Sequence, residues 1–78
     1  MDRNEILEKL NVIFRDELDN EDIELSEQTV ADDIEEWDSL SHIQLIVAIE
    51  KAFAIRFNSS EIQSWNNVGE MIDTMQTK

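Results

Sequence analysis

The sequence predicts an all-α fold: a small up-down four-helix bundle, with three main helices, one short helix and a long first loop. The chain has 78 residues, which is enough for one small domain with a thin core. Its apolar fraction of 41% is too high for a disordered acidic tail. The apolar residues recur at helical spacing, and no extended segment has a partner strand. We therefore expect residues 1–78 to form a single domain.

The first predicted helix covers roughly residues 3–16, and a long loop follows it. The apolar face of this helix consists of Ile6, Leu7, Leu10, Ile13 and Phe14. Residues 17–38 lack a helical period, and we expect isolated apolar residues to tie this loop to the core. These residues are Leu18, Ile23, Leu25, Val30, Ile34 and Trp37. The loop includes a predicted helical turn near residues 29–34, and a loop of this length is often functional.

The second predicted helix covers roughly residues 39–53 and is apolar over much of its circumference. Its apolar positions are Leu40, Ile43, Leu45, Ile46, Val47, Ile49, Ala52 and Phe53. This pattern predicts that it is the most buried helix. Asp38 is a good N-cap, whereas Ser41 is neutral in that role. The alternating apolar residues 53, 55 and 57 are predicted to form an extended connector.

Two further helices are predicted in the last third of the chain. A short helix of one to two turns begins at residues 58–61, with Ile62 and Trp65 pointing inward. The last helix covers about residues 67–76, and its apolar face consists of Val68, Met71, Ile72 and Met75. Asn67, followed three residues later by Glu70, resembles a capping box with Asn in place of Ser or Thr.

The net charge and the distribution of apolar residues argue against nucleic acid as a partner and against a membrane-spanning segment. Six basic and 19 acidic residues give 6 − 19 = −13. Such a charge argues against nucleic acid as a partner, because the phosphates would be repelled. No apolar run approaches the roughly 20 residues of a membrane-spanning helix. The charged first ten residues lack an apolar signal core, and we expect a cytoplasmic monomer.

The acids are concentrated in the first half of the chain. Residues 1–39 contain 15 acids and 3 bases, whereas residues 40–78 contain 4 acids and 3 bases. No Lys or Arg occurs between Arg15 and Lys51. Two interpretations stay open: a solvated surface that keeps the protein in solution, or a surface that serves a partner.

The residues give little support for catalysis or for a metal site. The single His, His42, follows Ser39 by three residues, but no Gly-rich turn is available for an oxyanion hole. We therefore do not expect an enzyme. The acids that begin at Asp16 lack the Gly that a calcium loop needs at its sixth position, so no metal site is expected. The absence of Cys excludes disulfides, a thiolate nucleophile and sulfur-bound zinc.

Ser39 lies in the first turn of the second predicted helix, directly after the acidic cap. Unpaired backbone N–H groups and the positive end of the helix dipole favour a negative group at this place. A phosphate ester on Ser39 would therefore be stabilised by the helix. The alternative interpretation is that Asp38 and Ser39 only cap the helix.

The segment that begins with Asp-Ser-Leu at residues 38–40 and continues as SHIQLIVAIEKAF resembles the acyl carrier protein family. In that family an Asp-Ser-Leu motif opens the second helix, and a Leu/Ile-Glu-x-x-Phe segment follows, matched by Ile49, Glu50 and Phe53. The resemblance implies that a phosphopantetheinyl transferase attaches 4′-phosphopantetheine from coenzyme A to Ser39. The thiol of this arm would hold acyl groups as thioesters for acyl-loading and acyl-processing enzymes.

Departures from the family pattern indicate a specialised lipid, polyketide or related pathway. Glu36 and Trp37 replace a small pair that is common in carriers of fatty acid synthesis, and the exposed face of the second helix has few acids. A peptidyl or aminoacyl carrier, and an acidic helical interaction module without a cofactor, are the alternatives. The residues that we expect to contact partner enzymes are Asp32, Asp33, Glu35, Glu36, Trp37, Asp38, Leu40, His42 and Glu50.

Overall fold

The computed structural model describes residues 2–78 and is a small helical bundle. Its elements are α1 (Arg3–Glu17), a 3-10 helix (Ala31–Asp33), α2 (Ser39–Phe53), α3 (Ser59–Ser64) and α4 (Val68–Gln76). The described residues contain no strand, and the all-α prediction with three main helices and one short helix is confirmed. None of the described helices is long and apolar enough to cross a membrane.

The core lies between α1, α2 and α4. Its largest fully buried side chains are Leu10, Phe14, Leu45, Ile49, Val68, Met71 and Ile72. Although α4 has only nine residues, five of them are buried, whereas α2 buries three of its 15 residues. The prediction that α2 is the most buried helix is therefore wrong.

The error arises because α2 has two apolar stripes, and only one of them packs on the core. Leu45, Ile46 and Ile49 are buried. In contrast, Leu40, Ile43 and Val47 are 70%, 63% and 44% exposed. At about 100° per residue, the two sets lie about 150° apart around the helix axis. The second stripe therefore faces solvent.

The long loop between α1 and α2 is tied to the core by apolar side chains, as predicted. Leu18, Ile23, Leu25 and Trp37 are buried, and the predicted helical turn is present as the 3-10 helix. The other two predicted anchors, at residues 30 and 34, are half-buried.

Backbone hydrogen bonds join this loop to the start of α4. The N–H of Val68 donates to the carbonyl of Thr29 at 2.9 Å, and the N–H of Gly69 donates to the carbonyl of Glu27 at 2.8 Å. A Cβ at position 69 would stand 2.9 Å from that carbonyl oxygen of Glu27, so the close approach requires Gly. Arg3 adds ion pairs to Glu27 and Asp73.

The last two helices begin at Asn caps, of which only the one at Asn67 was predicted. Asn58 accepts from the N–H of Glu61 at 2.8 Å, and the Glu61 carboxylate accepts from the N–H of Asn58 at 3.0 Å. Asn67 accepts from the N–H of Glu70 at 2.9 Å. The Glu70 carboxylate returns to Asn66 instead of Asn67, so only half of the predicted second capping box is confirmed.

Candidate functional site

The first turn of α2 is fixed by Asp38 and Ser41. Asp38 Oδ1 accepts from the backbone N–H groups of Leu40 (3.0 Å) and Ser41 (2.8 Å). Ser41 Oγ accepts from the N–H of Asp38 at 2.8 Å and donates to the carbonyl of Glu36 at 2.8 Å. The prediction that Asp38 caps α2 is confirmed. Ser41 is not neutral, because its hydroxyl completes a capping box with Asp38.

The capping bonds hold Asp38 in its charged form. Its pKa lies below the usual range, first because the backbone N–H of Ser41 donates to the carboxylate. The hydroxyl of Ser41 and the N–H of Leu40 act in the same direction. The start of α2 therefore carries an ionised carboxylate at neutral pH.

Ser39 is left free by this arrangement. It is the first residue of α2 and is exposed to solvent. Its hydroxyl takes part in none of the hydrogen bonds formed within residues 2–78, whereas the hydroxyl of Ser41, two residues away, is fully engaged. The interpretation in which Ser39 caps the helix is wrong, because Asp38 and Ser41 perform that role. Ser39 therefore presents an accessible hydroxyl for covalent modification.

A groove of about 520 Å³ opens beside Ser39. It lies between the start of α2 and the junction of α3 and α4. The residues that line it are Ala31, Trp37, Asp38, Ser39, His42, Ile62, Trp65, Asn66, Asn67 and Met71. The sequence does not predict that residues 62–71 lie beside Ser39, because no local pattern in the chain links segments that are more than 20 residues apart.

Trp37 and His42 form a hydrogen-bonded pair at the wall of this groove. Trp37 Nε1 donates to His42 Nδ1 at 3.0 Å, and the two rings stack with centroids 5.9 Å apart. The other side of Trp37 packs edge-on against Phe14, with ring centroids 4.9 Å apart. Burial lowers the pKa of His42 below its usual value. Ser39 and His42 line the same groove, but no hydrogen bond joins their side chains.

The expectation that Trp37 offers partners an exposed apolar surface is wrong. Only 9% of its surface is exposed, and it belongs to the hydrophobic core cluster. The physical reason is that its ring fits between Phe14 and His42, and its N–H is satisfied there. Trp37 therefore packs inside the protein, where its ring supports the start of α2.

The expected partner-contacting acids before α2 are all exposed, but three of them have local partners, and one of these is Asp38 at the cap of α2. Asp33 accepts from a backbone N–H at the start of the 3-10 helix, at 3.0 Å. Glu36 accepts from the side chain of Asn20 at 3.1 Å. Asp32 and Glu35 form no hydrogen bond within residues 2–78 and are the acids most available to a partner.

Glu50 and Leu40 differ in their availability to a partner. Glu50 Oε2 accepts from the N–H of Phe57 at 2.8 Å, so this carboxylate fixes the connector after α2 and is half-buried. The expectation that Glu50 is a surface contact does not fit this role. Leu40 is exposed as expected, and Ile43 and Val47 continue the same apolar row. The sequence pattern also predicts that residues 40, 43 and 47 belong to a buried helix surface, and their exposure shows that this second prediction is wrong.

Comparisons with known proteins agree with the sequence motif. Residues 8–75 match the family model described as a phosphopantetheine attachment site. The acyl carrier protein of Rubrobacter xylanophilus is 35% identical over 73 residues, which cover 94% of this chain and 90% of that protein. The acyl carrier protein of Thermosynechococcus vestitus is 32% identical over 80 aligned positions, which cover 100% of this chain and 96% of that protein.

A solved structure gives the same result for the fold. The solution NMR structure of a holo acyl carrier protein from Geobacter metallireducens superimposes with a TM-score of 0.86 at 43% identity. The match covers 92% of this chain and 83% of that one. Members of this family are not enzymes, since separate enzymes modify and use them, and their prosthetic group is 4′-phosphopantetheine. The chain therefore belongs to the acyl carrier protein family.

Proposed function

We propose that residues 1–78 act as a single carrier domain in which Ser39 carries the 4′-phosphopantetheine arm. When bound, the arm supplies a thiol on which acyl intermediates are held as thioesters. The observation that carries this proposal is the free, exposed hydroxyl of Ser39 at the start of α2, beside a groove of about 520 Å³. The residues present fit a covalently attached arm, because Ser39 can be esterified without breaking any hydrogen bond of the fold.

The attachment step needs only the hydroxyl from this chain. The Ser39 oxygen forms a bond to the phosphorus next to the pantetheine of coenzyme A. The anhydride bond breaks, adenosine bisphosphate leaves and the hydroxyl proton is released. A separate phosphopantetheinyl transferase supplies the catalytic groups. The absence of Cys in the chain is consistent with a reactive sulfur that arrives on the arm.

The proposed surface for partner enzymes surrounds Ser39. It combines Asp32 and Glu35 with an exposed apolar row on α2, which we define as Leu40, Ile43 and Val47. The apolar row offers desolvation energy, and the acids offer attraction to a basic rim on the partner. This surface differs from the strongly acidic helix face common in carriers of fatty acid synthesis. The difference supports a role in a specialised lipid, polyketide or related pathway, with the chain as a cytoplasmic monomer.

Intact-mass measurement tests the proposal. The purified protein is incubated with coenzyme A and a broad-specificity phosphopantetheinyl transferase, beside the variant Ser39→Ala. We expect the wild type alone to gain the mass of one phosphopantetheine. If the folded wild type gains no mass while a known carrier in the same reaction does, the proposal is contradicted. That result would favour an acidic interaction module that has the fold without the cofactor.

A further inference from the structure

The hydrogen bond from Trp37 determines where the proton of His42 lies. An indole N–H can only donate, so Nδ1 of His42 must be the acceptor and must be unprotonated. The imidazole is then neutral with its proton on Nε2, at the side of the ring away from the Trp37 donor. Because Trp37 is held against Phe14, the ring of His42 is fixed in orientation as well as in tautomer.

Ser39 and His42 are close enough for a group on one to meet the other. They are three residues apart on α2, and side chains at this spacing are neighbours on the same helix face. Both line the groove beside Ser39. The groove contains two indole N–H groups, and both already donate hydrogen bonds. Trp37 donates to His42, and Trp65 donates to Thr74. The Nε2–H of His42 is left without a partner within residues 2–78.

His42 is the only side chain among those that line the groove that can act as a base near neutral pH. Asp38, at the cap of α2, is the only residue with a formal charge among those that line it. The other elements around the groove contribute uncharged side chains, such as Ala31 from the 3-10 helix, Ile62 from α3 and Met71 from α4. An anion attached to Ser39 would therefore find no Lys or Arg in the groove.

We propose that the Nε2–H of His42 donates a hydrogen bond to the phosphodiester of the arm on Ser39. This contact turns the arm towards the groove and away from the exposed apolar row. Trp37 is a positioning residue, because it acts through the ring of His42. The inference rests on the proposed attachment of phosphopantetheine to Ser39. It adds a specific contact that holds the first atoms of the arm.

NMR of the loaded protein tests this contact. Intact mass first establishes that the sample carries one arm, and the ³¹P resonance is then followed from about pH 5 to 8. A phosphodiester does not titrate in this range, and His42 is the only His of the chain, so a titrating ³¹P shift reports His42. We expect such a titration, and a pKa of His42 at least about half a unit higher in the loaded protein than in the unloaded one.

Three variants test whether the ³¹P titration comes from the contact between His42 and the phosphodiester. His42→Gln does not titrate at this position, so its loaded form should show a flat ³¹P profile. Asn66→Ala changes another wall of the groove and should keep the titration of the wild type. Trp37→Phe retains a ring but lacks the N–H, so the ¹⁵N shifts of His42 should move away from the pure Nε2–H tautomer. A role of Trp37 in packing alone would leave that tautomer unchanged.

The outcomes distinguish this inference from the proposed function. A wild type that gains the mass of the arm but shows a flat ³¹P profile and an unchanged pKa of His42 overturns the inference alone. A wild type that gains no mass overturns the proposed attachment and, with it, the inference. The comparison of loaded and unloaded wild type needs no variant, so a misfolded variant would not prevent the test.

Discussion

Ser39 and Ser41 stand two residues apart in the first turn of α2 and have different tasks. Ser41 closes the capping box with Asp38, and its hydroxyl also donates to the carbonyl of Glu36. Ser39 has no such bond, and its hydroxyl faces solvent. The sequence indicated that Ser41 is neutral in capping, because an N3 residue of a capping box is usually Glu or Gln.

Truncation of the two hydroxyls should therefore have different effects on stability. Ser41→Ala removes an acceptor for the N–H of Asp38 and a donor to a carbonyl, and should lower the free energy of unfolding by about 1 kcal/mol. Ser39→Ala should change it by less than about 0.5 kcal/mol, because no hydrogen bond is lost. Urea denaturation followed by circular dichroism measures both. Equal losses for the two variants would contradict the assignment.

At the residue scale the sequence predicted the attachment motif but not its surroundings. The capping role of Asp38 follows from local sequence, whereas the attachment role of Ser39 is implied by the resemblance to the acyl carrier protein family and stays a prediction. Trp37 is buried, as predicted for a residue that ties the loop to the core, but the prediction that it also contacts partners is wrong, because Phe14 and His42 cover its ring. Glu50 was misassigned for a similar reason, since its partner is the backbone of Phe57 beyond the end of α2. The helical spacing of residues within one segment does not show which residues of other segments they contact.

At the scale of elements, α2 has one face for the core and another for solvent. Its bounds agree with the predicted 39–53, because the cap and the apolar spacing are both local signals. Its burial does not agree, because a helix that is apolar around most of its circumference does not reveal which stripe packs. The exposed apolar row of Leu40, Ile43 and Val47 is the part of α2 that we propose to contact partner enzymes.

Substitution of Ile43 tests the exposed apolar row. Ile43→Ser should leave the fold intact, because the side chain is 63% exposed. It should lower kcat/KM of phosphopantetheinyl transfer about fivefold, which corresponds to about 1 kcal/mol at an interface residue. The matched control is Val12→Ser, because Val12 is also 63% exposed but lies on α1. If both variants react like the wild type, the row does not contact the transferase.

The joint between the long loop and α4 depends on Gly69. In Gly69→Ala the new Cβ would meet the carbonyl oxygen of Glu27 at 2.9 Å and its Cβ at 3.2 Å. Overpacking costs about 1–3 kcal/mol, whereas Ala gains up to about 1 kcal/mol in helix propensity. We expect a net loss of about 1 kcal/mol in the free energy of unfolding, measured in urea. A variant more stable than the wild type would show that the loop does not need this close approach.

At the scale of the whole molecule, the net charge of −13 opposes folding, and the thin core offers little stability against it. The described residues contain only three ion pairs, formed by Arg3 with Glu27 and Asp73 and by Lys78 with Glu61. The remaining acids are mostly exposed and repel one another, most strongly in the first half of the chain. Because partly exposed ion pairs contribute little, we expect the repulsion among the acids to have the larger effect on stability.

Added salt should therefore stabilise the protein. At about 0.1 M the screening length is about 10 Å, which weakens repulsion between acids on neighbouring elements. We expect the melting temperature, followed by circular dichroism, to rise with sodium chloride and more steeply with divalent cations. A melting temperature that changes with neither salt, or that falls, would mean that the ion pairs stabilise the fold at least as much as the repulsion destabilises it.

The most direct test of the account is to locate the added group on the modified chain. Trypsin cleaves after Lys and Arg, so residues 16–51 leave as one peptide that contains both Ser39 and Ser41. Fragment-ion mass spectrometry of this peptide distinguishes the two serines. We expect phosphopantetheine on Ser39 alone, since that hydroxyl is free. Phosphopantetheine on Ser41, whose hydroxyl holds the cap of α2, would show that Ser39 is not the attachment site.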